Sequence, residues 1–188
     1  ALGAVPTSTV GYQKAFAWWA PYLENDDEQG FIDELLDGQP DAHAYFARMK
    51  KENRVGPALI GQPARPEKLE VEQVKNMLSD GSALLVDTRD QHSVHRGTVK
   101  GALNVPAGQQ ASNFAAWVID PECEQRPLIV TFDGEANAAQ FRDALYRVGI
   151  DTVRFFTSDI ADLANYQPET IIPADLDRTS CDALVDVR

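Results

Sequence analysis

Residues Ala83-Leu84-Leu85-Val86-Asp87-Thr88-Arg89 form an apolar run that ends in Asp-x-Arg, a pattern typical of a buried strand. A near copy, Ala183-Leu184-Val185-Asp186-Val187-Arg188, follows about one domain length further along the chain. Repeats of such long period usually mark tandem copies of one folding unit, although a match this short also arises by coincidence. If the pattern is a true repeat, the second copy stops after its first strand. We then expect this chain to be a piece of a longer protein.

The amino terminus carries no recognisable targeting signal. It reads Ala1-Leu2-Gly3-Ala4-Val5-Pro6, without an initiator methionine and without the basic segment and apolar run of a signal peptide. No apolar stretch approaches the ~20 residues that are needed to span a bilayer. We therefore expect a chain that is soluble and has been cut at both ends.

The 188 residues carry a net charge of −12 and are long enough for one or two domains. This acidity argues against a nucleic-acid partner, which needs a basic face, and against an anionic membrane surface. The two cysteines, Cys123 and Cys181, form neither a disulfide framework nor a metal motif, which favours the reducing cytoplasm. His92 and His95 could share a helical face, but no other ligands accompany them, so no metal site is predicted.

Residues 1–56 are predicted to be helical. The first of three helices ends at Pro21, the second is capped by Asp26 or Asp27, and the third opens at Pro40. Together these helices carry more aromatic side chains than they can bury among themselves. We expect them to pack on a segment absent from this chain or on a second copy of it, forming a homo-oligomer.

The third predicted helix carries the basic cluster of an otherwise acidic chain. Tyr45, Phe46 and Met49 are expected on one face of this helix. The other face carries four basic residues, Arg48, Lys50, Lys51 and Arg54. Because paired cations suit carboxylates, this cluster is a candidate substrate-binding site. A solvated helix face is the alternative explanation.

Residues 57–66 form a linker rich in Pro and Gly, and residues 67–166 alternate helices with strands. Apolar runs predict the main elements, which are strands at 83–86, 128–131 and 152–156 and a helix at 135–148. Such alternation implies a parallel sheet covered on both faces. Residues 167–188 repeat the approach to the first strand and would begin the truncated second copy.

Two stretches of residues 67–166 resemble the signatures of rhodanese domains. They are Leu85-Val86-Asp87-Thr88-Arg89 and Gly97-Thr98-Val99-Lys100-Gly101-Ala102-Leu103-Asn104-Val105-Pro106, in which Thr98 replaces the usual histidine. The resemblance implies an α/β fold with a rhodanese-like doubly wound five-stranded parallel sheet, preceded here by a helical segment. It also implies structural roles for five residues, with the arginine paired to acidic groups: Asp87, Arg89, Gly101, Asn104 and Pro106.

Residues 1–56 are similar to the C-terminal end of a metallo-β-lactamase-fold domain fused to rhodanese repeats. The stretches that carry the similarity are Gly3–Tyr12, Gly38–Pro40, Tyr45–Lys50 and Asn53–Pro57. Such fusions resemble persulfide dioxygenases joined to sulfurtransferase modules, which oxidise a glutathione-type or related persulfide with a mononuclear non-haem iron. Their His-x-His-x-Asp-His motif does not occur in this sequence. The resemblance therefore implies an iron bound upstream of residue 1 and no cofactor in this chain.

The rhodanese resemblance implies one catalytic cysteine in the loop that follows the fourth strand. That loop here contains no sulfur and adds two carboxylates; it comprises Phe132, Asp133, Gly134, Glu135, Ala136 and Asn137. Negative charge would repel thiosulfate or a persulfide anion, whereas carboxylates suit a helix N-terminus without any function. Cys123 should lie at the opposite end of the strand, with its thiol pKa raised by Glu122 and Glu124. Cys181 holds a comparable position, so no catalytic residue is predicted.

Three hypotheses for function remain open. The first is a catalytically silent rhodanese-like module that packs an upstream metallo-domain against a downstream rhodanese. The second is part of an active metallo-enzyme that oxidises a thiol persulfide, to which the basic cluster contributes substrate contacts. The third is a stand-alone regulatory rhodanese-like protein whose C-terminal half-repeat completes a dimer by strand exchange.

Overall fold

The computed structural model describes residues 7–39 and 44–170. These residues fall into two compact units, the first within residues 7–39 and the second within residues 44–170. The predicted helix start at Pro40 and the second repeat from residue 171 onward lie outside the described residues. In the described ranges, no helix combines the length and the apolar character that crossing a membrane requires.

The described part of the first unit is helical, as predicted. Its helices are α1 (Val10–Phe16), α2 (Ala20–Glu24) and α3 (Glu28–Leu36). Asp27 caps α3, because its Oδ1 accepts a hydrogen bond of 2.9 Å from the N–H of Gly30. The prediction that Pro21 ends a helix is wrong. Pro21 lies instead in the first turn of α2, where a missing N–H leaves no helical hydrogen bond unmade.

The aromatic side chains of the first unit form a small stack and leave much apolar surface exposed. The ring of Trp18 stacks on Phe31 at a centroid distance of 5.5 Å, and Tyr22 meets Phe31 edge-on at 6.4 Å. Tyr12 and Phe16 are 58% and 72% exposed. This confirms the prediction that these helices carry more aromatic side chains than they can bury among themselves.

The second unit begins with α4 (Ala44–Val55) and continues into alternating strands and helices. The strands are β1 (Glu67–Lys68), β2 (Leu84–Asp87), β3 (Leu103–Asn104), β4 (Leu128–Thr131) and β5 (Val153–Thr157). The remaining helices are α5 (Val71–Ser79), α6 (Gln91–Arg96), α7 (Ala111–Val118), α8 (Glu135–Tyr146) and α9 (Ile160–Leu163).

The five strands form one parallel sheet in the order β1-β5-β4-β2-β3. Ile129 at the centre of β4 pairs with Leu85 of β2 and with Phe155 of β5. All four residues of β4 are buried, because helices cover both faces of the sheet. The predicted five-stranded, doubly wound α/β fold is confirmed.

Successive strand residues point to opposite faces and build two apolar clusters. Val86 and Val130 belong to the cluster beneath α7 and α8, which also contains Leu145. Leu85 and Ile129 belong to the cluster on the other face, beneath α5 and α9. Each fully buried aliphatic side chain contributes about 1.5–3 kcal/mol of transfer free energy, so the central strands hold the carboxyl edge of the sheet rigidly.

The boundary predicted at residue 56 differs from the structure, because α4 belongs to the second unit. The Tyr45 hydroxyl donates a hydrogen bond of 3.3 Å to the carbonyl of Arg147, and Arg48 Nη2 donates one of 2.5 Å to the carbonyl of Val148. Both carbonyls follow the last turn of α8. Helical periodicity reveals an amphipathic face but not the neighbour on which that face packs, so the sequence did not indicate that α4 packs with the second unit.

Candidate functional site

The carboxyl ends of β2 and β4 are joined by two buried threonines. The N–H of Thr88 donates a hydrogen bond of 2.8 Å to Thr131 Oγ1, and the Thr88 hydroxyl donates to the carbonyl of Thr131. Ligand sites of open α/β sheets lie outside the carboxyl ends of the strands. The turn that follows Thr131 is therefore the candidate functional site.

Residues 132–134 form this turn and lead from β4 into α8. Phe132 is half-buried, with its ring centroid 5.4 Å from that of Phe141. No side chain caps the start of α8. The carboxylate of Glu135 lies 3.7 Å from the highly exposed Arg65 guanidinium, a surface pair of small energetic value.

A cleft of about 630 Å³ lies beside the turn, between α8 and the segment that enters α7. Its lining residues are Ala107, Gly108, Gln109, Ala111, Ser112, Phe132, Asn137, Gln140, Phe141, Asp143, Ala144 and Arg147. Of the six loop residues singled out in the sequence, Phe132 and Asn137 line the cleft. Asp133 and Glu135 do not line it.

Asp87 is fully buried at the end of β2 and holds two side chains in place. Arg89 donates to it in a bidentate pair, from Nε to Oδ1 at 3.0 Å and from Nη2 to Oδ2 at 2.7 Å, and Nη2 also reaches the carbonyl of Gly97 at 2.7 Å. The Thr98 hydroxyl donates to Oδ2 at 2.8 Å. Burial opposes ionisation, but the hydrogen bonds from Arg89 and Thr98 outweigh it and lower the pKa of Asp87.

The partner predicted for Arg89 is therefore Asp87 itself. Thr98 stands where the rhodanese signature has histidine, and the sequence did not indicate that its hydroxyl would satisfy the same buried carboxylate. Asn104 Nδ2 completes the loop by donating to the carbonyls of Asp87 and Arg89 at 2.9 and 3.0 Å. These groups are engaged with one another, which fits a structural role.

Gly101 and Pro106, the other two residues given structural roles, flank β3. Gly101 has a φ of 85°, in the left-handed region that glycine adopts without penalty. Pro106 is half-buried and comes two residues after the end of β3. Both lie in the segment between α6 and Ala107, the first residue that lines the cleft.

A model of the rhodanese-like domain family matches residues 70–165, slightly more than half of the chain. The chain belongs to the rhodanese-like domain family. A search of curated proteins found no match.

Two solved structures are similar to this rhodanese-like chain. One is the crystal structure of a metallo-beta-lactamase from Staphylococcus aureus subsp. aureus COL, with 27% identity and a TM-score of 0.55. That match covers 82% of this chain but 39% of the other, so the chain spans about two fifths of its relative's length. The other is the solution structure of a rhodanese-like domain from Anabaena, with 20% identity and a TM-score of 0.41 over 66% of this chain and 92% of that one.

Cys123 lies in the turn before β4, at the opposite edge of the rhodanese-like sheet from the cleft. It is exposed, and its Sγ donates a 3.6 Å hydrogen bond to Asp120 Oδ2. The negative charge and this hydrogen bond of Asp120 raise the pKa of the thiol, and Glu122 adds to the effect. The predicted direction is confirmed, but Asp120 is its main cause, whereas Glu124 pairs with Arg126. Cys181 lies outside the described residues.

The basic cluster predicted on α4 does not form as a group of four. Arg48 packs onto the rhodanese-like domain, where its side chain is 11% exposed and its Nη1 lies 3.7 Å from Asp120 Oδ1. Lys50, Lys51 and Arg54 are exposed. Arg48 is engaged within the domain, unlike the other three, and the substrate-binding role of the cluster stays a prediction.

Within residues 7–39 and 44–170, no group of three or more His, Cys, Asp or Glu side chains is arranged to hold a metal ion. His92 and His95 both lie on α6. The described residues thus do not fit an iron site, and no step of a metal-dependent reaction is assigned to them.

Proposed function

We propose that this chain is part of a fusion between a metallo-β-lactamase-fold domain and rhodanese-like domains that acts on persulfide sulfur. In this proposal the rhodanese-like domain of residues 70–165 transfers no sulfur and serves as a packing and interaction module. One observation carries the proposal. The turn from β4 to α8, where rhodaneses place their cysteine, contains Phe132, Asp133 and Gly134.

The chemistry of sulfur transfer supports a non-catalytic domain. A persulfide carrier needs a thiolate, and thiolates are stabilised by positive potential such as a helix N-terminus or a neighbouring cation. At the start of α8 the chain offers the carboxylates of Asp133 and Glu135 instead of a thiol. Cys123 is a poor substitute, because it lies at the other edge of the sheet and Asp120 raises the pKa of its thiol.

The similarity to the S. aureus metallo-beta-lactamase supports the fusion. It covers 82% of this chain, whereas the family model accounts for about half, so it must include residues outside 70–165. The exposed aromatic side chains of the first unit also favour a covering domain. An upstream metallo-domain would supply that cover and would hold the non-haem iron. A downstream rhodanese repeat would be the second neighbour, in the cytoplasm.

Intact-mass measurement after treatment with thiosulfate or glutathione persulfide tests the non-catalytic role. An active rhodanese serves as the positive control, and a variant carrying Cys123→Ser and Cys181→Ser reports non-specific adducts. We expect no cyanide-labile sulfur on this chain under conditions that load the active rhodanese. A cyanide-labile adduct on Cys123 would overturn the proposal.

A further inference from the structure

The chain leaves the rhodanese-like sheet through a short segment that is hydrogen-bonded back to it. Residues 164–166, called here the exit segment, follow α9 and form an antiparallel bridge with Thr98. The N–H of Thr98 donates to the carbonyl of Tyr166 at 2.8 Å, and the N–H groups of Asn165 and Tyr166 donate to the carbonyl of Thr98 at 3.0 Å each. Asn165 Oδ1 also accepts a hydrogen bond of 2.8 Å from the N–H of Lys100. These contacts fix the exit segment at both its backbone and a side chain.

The residue that anchors the exit segment is itself held by a buried charge. Thr98 is buried, and its hydroxyl donates to the carboxylate of Asp87, the fully buried last residue of β2. Arg89 binds the same carboxylate and donates to the carbonyl of Gly97, the neighbour of Thr98. The ends of domains are poorly ordered unless such contacts tie them down. The exit segment is therefore tied to the carboxyl edge of the sheet.

The chain enters the rhodanese-like domain at the opposite edge of the sheet, through α4. Arg48 donates to the carbonyl of Val148, which precedes β5, and its Nη1 lies 3.7 Å from Asp120, which precedes β4. Because all the strands are parallel, residues that precede β4 and β5 lie at the amino edge. Arg142 of α8 donates to the carbonyl of Ala64 and thereby fixes the linker between α4 and β1. The entry of the domain is therefore fixed as well.

The entry and the exit of the domain are separated by the length of the central strands. β4 and β5 have four and five residues. At about 3.3 Å per residue, these strands are about 13–17 Å long. Domains that are joined in one chain usually move relative to one another. Here both points of attachment are bonded to one buried sheet, which favours a constant separation between them.

We propose that the rhodanese-like domain is a rigid spacer, which holds α4 and the exit segment a fixed distance apart at opposite edges of its sheet. The proposal rests on the packing role proposed above and specifies it, because the domain sets the spacing of its two attachment points. Docking by Arg48 fixes the first point, and the hydrogen bonds to Thr98 fix the second. A segment attached after residue 166 therefore starts from a fixed position relative to α4.

The distance between two nitroxide labels on the full chain, measured by double electron–electron resonance, tests the proposal. Both native cysteines are replaced by serine. The labels are attached at two exposed positions, Lys51→Cys on α4 and Gln167→Cys next to the exit segment. A reference pair lies on two helices of the domain, Lys75→Cys on α5 and Gln140→Cys on α8. We expect one distance distribution for the test pair, about as narrow as that of the reference pair.

Two variants release the attachment points one at a time. Tyr166→Pro removes an N–H that donates to Thr98, and Arg48→Ala removes the contacts of α4 with the turn before β5. Each should widen the distribution of the test pair at least twofold and leave that of the reference pair unchanged. Glu169→Pro, which lies beyond the exit segment, is the matched control for the proline and should not widen it. Unchanged far-UV circular dichroism establishes that each variant folds.

Two results would overturn the rigid spacer. One is a distribution of the test pair at least twice as wide as that of the reference pair in the otherwise unchanged chain. The other is equal widths with and without Tyr166→Pro, because the hydrogen bonds to Thr98 would then not fix the exit segment. A cyanide-labile adduct on Cys123 would instead contradict the non-catalytic role and leave the measured distances unaffected.

Discussion

Arg48 lies so close to Gly149 that a Cβ on the glycine would come within 2.9 Å of Arg48 Nε. The contact joins the helix that precedes the linker to the turn between α8 and β5. Arg48 reaches across this turn to the carbonyl of Val148 and towards Asp120. The absence of a side chain at residue 149 is therefore a condition for the docking of α4 on the rhodanese-like domain.

Gly149→Ala is expected to destabilise the protein for two separable reasons. The residue has a φ of 74°, and a left-handed alanine costs about 1–2 kcal/mol. Crowding against Arg48 adds about 1–3 kcal/mol, as overpacking does elsewhere. Urea unfolding of the single variants and of Arg48→Ala/Gly149→Ala measures the coupling. In the Arg48→Ala background the substitution should cost only the backbone contribution, and an equal cost in both backgrounds would contradict the contact.

The carboxylate of Asp87 should make stability depend on pH. Because its pKa is lowered in the folded state, its contribution is fully present above the pKa of the unfolded chain, about 3.9. It is lost as pH falls through the lower folded value. Asp87→Asn should therefore reduce the free energy of unfolding at pH 7 and flatten its dependence on pH below about 4. Urea denaturation between pH 2 and pH 7 checks this, and an unchanged slope in the variant would count against it.

Thr98→Val tests the contribution of the Thr98 hydroxyl to stability, because valine has nearly the same shape as threonine but no hydroxyl. The substitution removes the 2.8 Å hydrogen bond to Asp87 Oδ2 and leaves the bidentate pair with Arg89 intact. A hydrogen bond to a charged group is worth about 1.5–3 kcal/mol, so we expect a loss of that size. Ser93→Ala on α6 is the control for hydroxyl removal and should cost less, because the Ser93 hydroxyl donates to the exposed carboxylate of Asp90. A loss within error of zero for Thr98→Val would show that Asp87 does not depend on this hydroxyl.

Asp120→Asn should make Cys123 more reactive. Asp120 is the main cause of the raised thiol pKa, so its neutralisation should shift the pH profile of iodoacetamide alkylation to lower pH. The measurement uses a Cys181→Ser background, in which Cys123 is the one thiol of the chain. Glu122→Gln, which removes the weaker cause, should give a smaller shift in the same direction. Identical profiles for all three proteins would refute the assignment of the cause.

Arg142 is expected to hold the linker against α8. Its side chain is 8% exposed and donates a hydrogen bond to the carbonyl of Ala64. Arg142→Leu should speed hydrogen exchange at Leu69, whose N–H donates to the carbonyl of Phe156 just after the linker, by about tenfold or more, the equivalent of one lost charged hydrogen bond. Exchange in β4 should hardly change. Arg147→Leu, at the residue that follows α8, is the control, and comparable acceleration by both variants would argue against a specific tether.

Most of the rhodanese-like fold could be predicted from local patterns. The predicted strand 128–131 coincides with β4, and the other two predicted strands are displaced by one residue. Buried strands are continuous apolar runs, and helices repeat their apolar residues every three or four positions, so both can be recognised without tertiary information. The break between α1, which ends at Phe16, and α2 was missed. Pro21 was read as a helix end, but a proline suits the first turn of a helix as well as the position after its end.

Three properties could be predicted without coordinates: the class of the fold, the pairing of Arg89 with an acidic group, and the lack of a thiol in the turn after β4. These properties depend on residue identity and on short-range order. Three others became visible in the fold: Asp87 is the partner of both Arg89 and Thr98, Arg48 packs against Gly149, and Asp133 and Glu135 do not line the cleft. Each of these depends on which side chains meet across elements far apart in sequence, and packing, not local pattern, sets that.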